Sequence, residues 1–308
     1  MTPDKQHKLA IAALLLRVGL GCVFIIGGLS KLSLLLDSHS HDTMVANYMG
    51  ATGYINALFQ QYIFSGNTIT PSFFLTSLSV FELISGVALV AGLMVRPLAL
   101  LYAFLLWSFV VSLPVMTVPG VELEIKTYTS PAIFVQIRDI ALSGMMFILF
   151  NLGAGLNSID AKYITAPKAN WNYLGLTLRL SLGLMFIVSG FFGAFASVPS
   201  FASWQPLLAL LGITLIFGNE RLIRLGGAMT VGIMLWYFSE KFSIEKSIIG
   251  NLNGVKREFA LLAAGIVLML NGGGTFFTSS DLLQRIRATF LAYIATAKNG
   301  VNPAAISR

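Results

Sequence analysis

Charge is what this sequence lacks most. Only 11% of its 308 residues are Asp, Glu, Lys or Arg, against 56% hydrophobic residues, whereas a soluble domain carries about 25% charge. So few charges cannot cover a water-soluble globule, and the composition predicts a polytopic membrane protein made of spans and short loops. No separate soluble domain of ordinary size fits. Cysteine is almost absent: Cys22 is the only one. That excludes an intrachain disulfide and a CxxC pair, and with them thiol–disulfide relay chemistry. Inside an apolar run, Cys22 reads as a small packing residue. No haem CxxCH, P-loop, dinucleotide glycine fingerprint or Ser-His-Asp signature occurs. A secretory signal peptide is not expected either, because the first apolar run is too long, Arg17 interrupts it and no A-x-A-like site follows. The net charge of +7 is spread over helix ends, which suits orientation and anionic headgroups and predicts no nucleic-acid partner.

Glycine-studded apolar helix is abundant. Leu14–Lys31 reads LLLRVGLGCVFIIGGLSK, and from Leu176 the pattern returns as LTLRLSLGLMFIVSGFF. Arg17 matches Arg179, Gly21 Gly183, Phe24 Phe186, Ile25 Ile187 and Gly28 Gly190, all at an offset of 162. Further on, Gly86 and Gly92 match Gly212 and Gly218 at 126, and Arg138-Asp139 matches Arg257-Glu258 at 119. Spans of about 20 residues are predicted near 9–30, 73–95, 97–117, 132–152, 173–194, 201–218, 223–238 and 258–273. The expected architecture is therefore all-α and integral to the membrane: two tandem four-helix transmembrane bundles, about eight spans. The first unit covers 1–156 with a long outer loop at 32–71, a linker covers 157–170, the second unit 171–285 and a tail 286–308. Away from Arg17 and Arg179, eleven Lys and Arg lie on the terminal side and seven on the other, which predicts both termini cytoplasmic.

Intramembrane charges are expensive and need a partner or a task. Arg17 and Glu82 are expected at similar depth on adjacent antiparallel helices, and hence as a buried pair; they are the candidate catalytic residues. A structural brace is the plainer reading of the same pair. The second copy has Leu208 and Gly193 where the first has Glu82 and Lys31, so the first should hold the site. Gln136, Arg138 and Asp139 fall in the outer turns of the fourth span, on the side of Lys31, and suggest a lined cavity. The outer loop carries Tyr48, Tyr54, Phe59, Tyr62 and Phe64, and its 44–64 part could form an interfacial helix over the first unit. His39 and His41, in DSHSHD, have a His-x-His spacing but no further clustered ligand, so a solvated loop is the preferred reading.

LLLRVGLGCVFIIGGLSKL, FELISGVALVAGLMVRPLALL, and IRDIALSGMMFIL followed by GxG and LNSID resemble the DoxX/DoxD family of four-helix membrane proteins. The likeness is best over residues 10–160 and weaker over 172–285. DoxD is the membrane subunit of a thiosulfate:quinone oxidoreductase, working beside a second subunit, DoxA. The resemblance implies a redox role in a prokaryotic cytoplasmic (inner) membrane, with quinone as cofactor and a second redox subunit as partner; a homo-oligomer is also compatible. The second half looks like another DoxX-type unit and not like DoxA. Ligand chemistry then assigns stacking surface to Tyr54 and Phe59 and polar contacts to Lys31, Arg138, Asp139 and Gln136, with Glu82 deeper as a proton relay. The other class of function is a non-enzymatic membrane partner, an assembly subunit or a small-solute transporter.

Overall fold

The computed structural model describes residues 3–49, 57–66, 68–113, 119–120, 122, 126–127, 130–163, 169–193, 195 and 198–298, without the side chains of 57–59, 126–130, 199 and 292–298. The helices are α1 (Pro3–Leu35), α2 (His41–Met49), α3 (Ala57–Ile63), α4 (Pro71–Ala91), α5 (Val95–Ser112), α6 (Ala132–Leu152), α7 (Trp171–Phe192), α8 (Pro199–Ala202), α9 (Gln205–Phe217), α10 (Glu220–Lys241), α11 (Ile248–Gly254), α12 (Glu258–Asn271) and α13 (Ser279–Lys298). A two-residue ribbon pairs Lys126–Thr127 with Ser130–Pro131. Among the described residues six helices are long and apolar enough to cross a membrane: α1, α4, α5, α6, α7 and α10. The sixth and eighth expected spans become the short apolar helices α9 and α12. At 1.5 Å per residue, their 13 and 14 residues reach only about 20 Å.

Helix ends follow local chemistry. Thr70 caps α4 by accepting from the Phe73 N–H, Pro71 fits its first turn, and Gly92 ends it at φ 74°, a conformation costly for any residue with a Cβ. Asn170 and Asn219 cap α7 and α10 in the same way as Thr70.

Packing repeats itself. α1 lies along α4 and α5 along α6; in the second half α7 lies along α9 and α10 along α12. The halves join where α1 meets α12 and α6 meets α7. Glycines set the helix–helix distance, as expected where apolar lipid gives no driving force for helix association and close van der Waals contact must supply it. A Cβ on Gly21 would lie 2.9 Å from the Gly86 carbonyl oxygen, and one on Gly183 2.8 Å from that of Gly212. Gly28 abuts Ser79, and Gly190 abuts Gln205, so the two seams share one register. One hydrophobic core runs through both halves. The start of α1 and the end of α12 lie at one end of the bundle, where Asn271 donates to the Lys8 carbonyl; the opposite end is called the far face below.

Candidate functional site

The expected Arg17–Glu82 pair does not form. Arg17 donates through Nη2 to the carbonyls of Leu156 (2.6 Å) and Asn157 (2.7 Å), beside Gly92 at the end of α4. The reason is register. α1 projects past the end of α4 instead of ending level with it, so Arg17 lies beside Gly92 at the last turn of α4. Glu82 instead faces Gly27, ten residues or about 15 Å further along α1. Arg179 does the equivalent work in the second half: Nε donates to Gly273 (2.9 Å), Nη1 to Ile216 (2.5 Å) and Nη2 to Phe276. Both arginines tie loops to helix ends.

Glu82 takes Lys31 as partner, at 2.5 Å. Two further ion pairs join the halves, and they are exchanged: Arg138 of α6 binds Glu258 at the start of α12 (2.6 Å), while Arg257 binds Asp139 of α6 (2.7 Å). These are the two Arg-acid dipeptides that match at offset 119, each satisfying the other's charges. Arg138 also donates to the Phe134 carbonyl and stacks 3.5 Å over that ring. Glu258 is only 1% exposed; loss of one partner of such a pair strands a buried charge, at about 3–5 kcal/mol. Gln136 donates to the Val110 carbonyl at the end of α5.

A cavity of about 80 Å³ lies among these groups, lined by Phe24, Gly27, Lys31, Tyr48, Glu82, Phe109, Asp139, Lys256 and Arg257, with Leu78 at its edge. Leu78 also belongs to an apolar groove between α4 and α5, formed with Phe81, Leu101, Phe104, Leu105 and Ser108. Phe104 on that groove is 71% exposed, as a lipid-facing side chain is. The Phe24 ring stacks on Tyr102 at 3.7 Å, and the Tyr102 hydroxyl meets Ser85 Oγ. Lys256 sits in the turn before α12, outside the membrane-spanning helices. It forms no ion pair among the described residues; its Nζ donates to Asn253 Oδ1 at 2.8 Å. Burial first, then the cations Arg257 and Lys31, push its ammonium down to about 7. In the second half Phe195 packs against Phe134, Phe186, Phe201 and Tyr237. This aromatic plug goes with the missing Lys31 and Glu82 equivalents.

Lys31, Glu82 and Asp139 thus meet at the cavity; Arg138 stands behind them, Gln136 braces α5, and Arg17 lies elsewhere. Tyr54 falls outside the described residues, as does the side chain of Phe59; Tyr48 supplies the loop's aromatic ring. The expected 44–64 helix is α2 and α3, with α2 packed on α1 and α4. His41 uses both ring nitrogens locally, Nδ1 with the Leu35 carbonyl and Nε2 with Ser72 Oγ. Lys256, Arg257 and Glu258 were missed as site residues. For Arg257 and Glu258 the signal was present in the repeat of Arg-acid dipeptides, which reads as a contact only once the halves face each other.

A search of curated proteins and a search of solved structures give no match. The DoxX family model matches residues 12–113, from α1 through α5, a stretch that includes Lys31, Tyr48, Glu82 and the whole α4–α5 groove. Over that stretch the chain is similar to the DoxX family.

Proposed function

We propose that the chain is a quinone-interacting membrane subunit whose site lies in its first half. The observation that carries this reading is Leu78, shared by a charged cavity and an apolar groove open to lipid. A quinone has a flat ring with two carbonyl acceptors and an isoprenoid tail, and these two surfaces meet in that order. About 80 Å³ is less than the roughly 150 Å³ that holds benzene, so the ring straddles the join at Leu78, between Phe24 and Phe109. Lys31 and Arg257 are the donors nearest that position, Glu82 is the nearest acid, and Arg138, Asp139 and Gln136 hold the wall. Arg17 has no part in this chemistry.

The two halves are read as descendants of one four-helix unit, fused in tandem with both termini cytoplasmic. The equal glycine registers and the exchanged ion pairs support the fusion, and the Lys/Arg asymmetry supports the orientation. Electron delivery, from thiosulfate or another donor, falls to a second subunit in a prokaryotic inner membrane. A non-enzymatic assembly role is the alternative, favoured by α13, whose Leu283, Ile286 and Phe290 are all exposed.

Quinone extracted from detergent-purified protein tests the reading. Wild type should retain it, Leu78→Trp should close the join, and Lys31→Met should retain several-fold less. A wild-type protein purified without quinone, and unable to bind added quinone, overturns the proposal and leaves the assembly role.

A further inference from the structure

The cavity holds three cations, Lys31, Lys256 and Arg257, but two carboxylates, Glu82 and Asp139. Lys31 and Arg257 are matched by Glu82 and Asp139, so Lys256 carries the excess charge. In a setting of low dielectric an unmatched ammonium gives up its proton readily. The position of Lys256 gives that proton two exits. On one side Asn253 and exposed Gly254 end α11, whose residues 248–250 are exposed at the far face. On the other side lies the space over Gly27: a Cβ built there would sit 3.3 Å from Glu82 Oε2 and 4.0 Å from Lys256 Nζ. Glycine leaves that gap open, with room for a bridging water.

We propose that Lys256 is the proton-exchange residue of the cavity, taking protons from water at the α11 face and passing them across the Gly27 gap to Glu82. In the transfer an N–H bond of the ammonium breaks and an O–H bond forms on the Glu82 carboxylate. A part-buried cation and a buried anion become a neutral amine and acid, so the cavity's net charge is unchanged. Lys31 on α1, Asp139 on α6, Tyr48 on α2 and Arg257 on the same turn face the pair and set its balance. The inference deepens the quinone reading by naming the proton path, but it concerns quinone-free protein and stands or falls separately.

Competitive labelling of lysines with trace acetic anhydride, read by mass spectrometry across a pH series on quinone-stripped protein in nanodiscs, gives each amine its own titration. Lys256 should show a midpoint near 7, and Glu82→Gln should move it lower, because Glu82 favours the ammonium. A midpoint at the ordinary lysine value of 10.5 overturns the proposal. Time-resolved infrared spectroscopy of the Glu82 carboxyl after a rapid pH drop, with the band assigned by its loss in Glu82→Gln, tests the transfer. Protonation should be several-fold slower in Lys256→Arg, which keeps the positive charge but does not release a proton near neutral pH. An unchanged rate in folded Lys256→Arg protein also overturns it, whether or not quinone is bound in the native protein.

Discussion

Arg179 is completely buried yet meets no carboxylate among the described residues; three backbone carbonyls share its charge. Hydrogen bonds to a charged group contribute about 1.5–3 kcal/mol each, and a lysine cannot reproduce the planar fork. Arg179→Met and Arg179→Lys should therefore both lower the apparent melting temperature, by about 3–5 kcal/mol in stability terms. Arg17→Met, with two acceptors, should lose less; fluorescence-detected size exclusion after heating ranks the three. Lys256 makes a different prediction. Its folded pKa is depressed to about 7 from 10.5, so between those values the unfolded chain binds more protons. Stability should rise with pH through that window. Thermal scans of wild type against Lys256→Met should diverge there, with wild type gaining as pH rises and the difference staying flat below about 7.

At the scale of helices, the glycine seams fix where every charge lands. A Cβ on Gly28 would meet the Ser79 carbonyl oxygen at 2.6 Å and the Leu83 nitrogen at 2.8 Å, both backbone, whereas one on Gly232 of α10 meets nothing within 4 Å. Gly28→Ala should thus destabilise by about 1–3 kcal/mol, and Gly232→Ala should stabilise by up to about 1 kcal/mol; opposite shifts in melting temperature check the pair. These seams also explain what sequence reasoning could reach. The glycines of α1 and their echo in α7 are visible as spacing, and the helices follow from hydropathy. The register of α1 on α4 is not visible, because helix ends read from hydropathy do not tell how far one helix projects past the other. That small difference sends Arg17 to a loop and Glu82 to Lys31. Likewise α9 reads as a span only when Phe201–Trp204 are counted in, and α12 only when Gly272 and Gly273 are. The approach of Lys256 to Gly27 joins residues more than two hundred positions apart, and no local pattern announces it.

For the whole molecule, the decisive contact is the exchange of Arg138–Glu258 for Arg257–Asp139. Beside it, Gly19 of α1 meets Ala263 of α12, and Gly144 of α6 meets Ser181 of α7, positions that match at the offsets 162 and 119. This is the self-complementary pattern of a two-fold interface, in which i touches j and j touches i. The halves, cut within 164–168 and expressed as two chains, should therefore co-purify. Arg138→Ala with Asp139→Ala in the first half should abolish the association, read as loss of the untagged partner from the affinity eluate. The plug of Phe195 has its own consequence. A homodimer must place the same residue at both copies of every position, so it has two open cavities or two plugged ones. Continuity of the chain lifts that restriction: one half can keep a wet, charged chamber while the other turns solid and lends it Lys256 and Arg257. One polypeptide can thus be built like a dimer while its two halves differ in what they enclose.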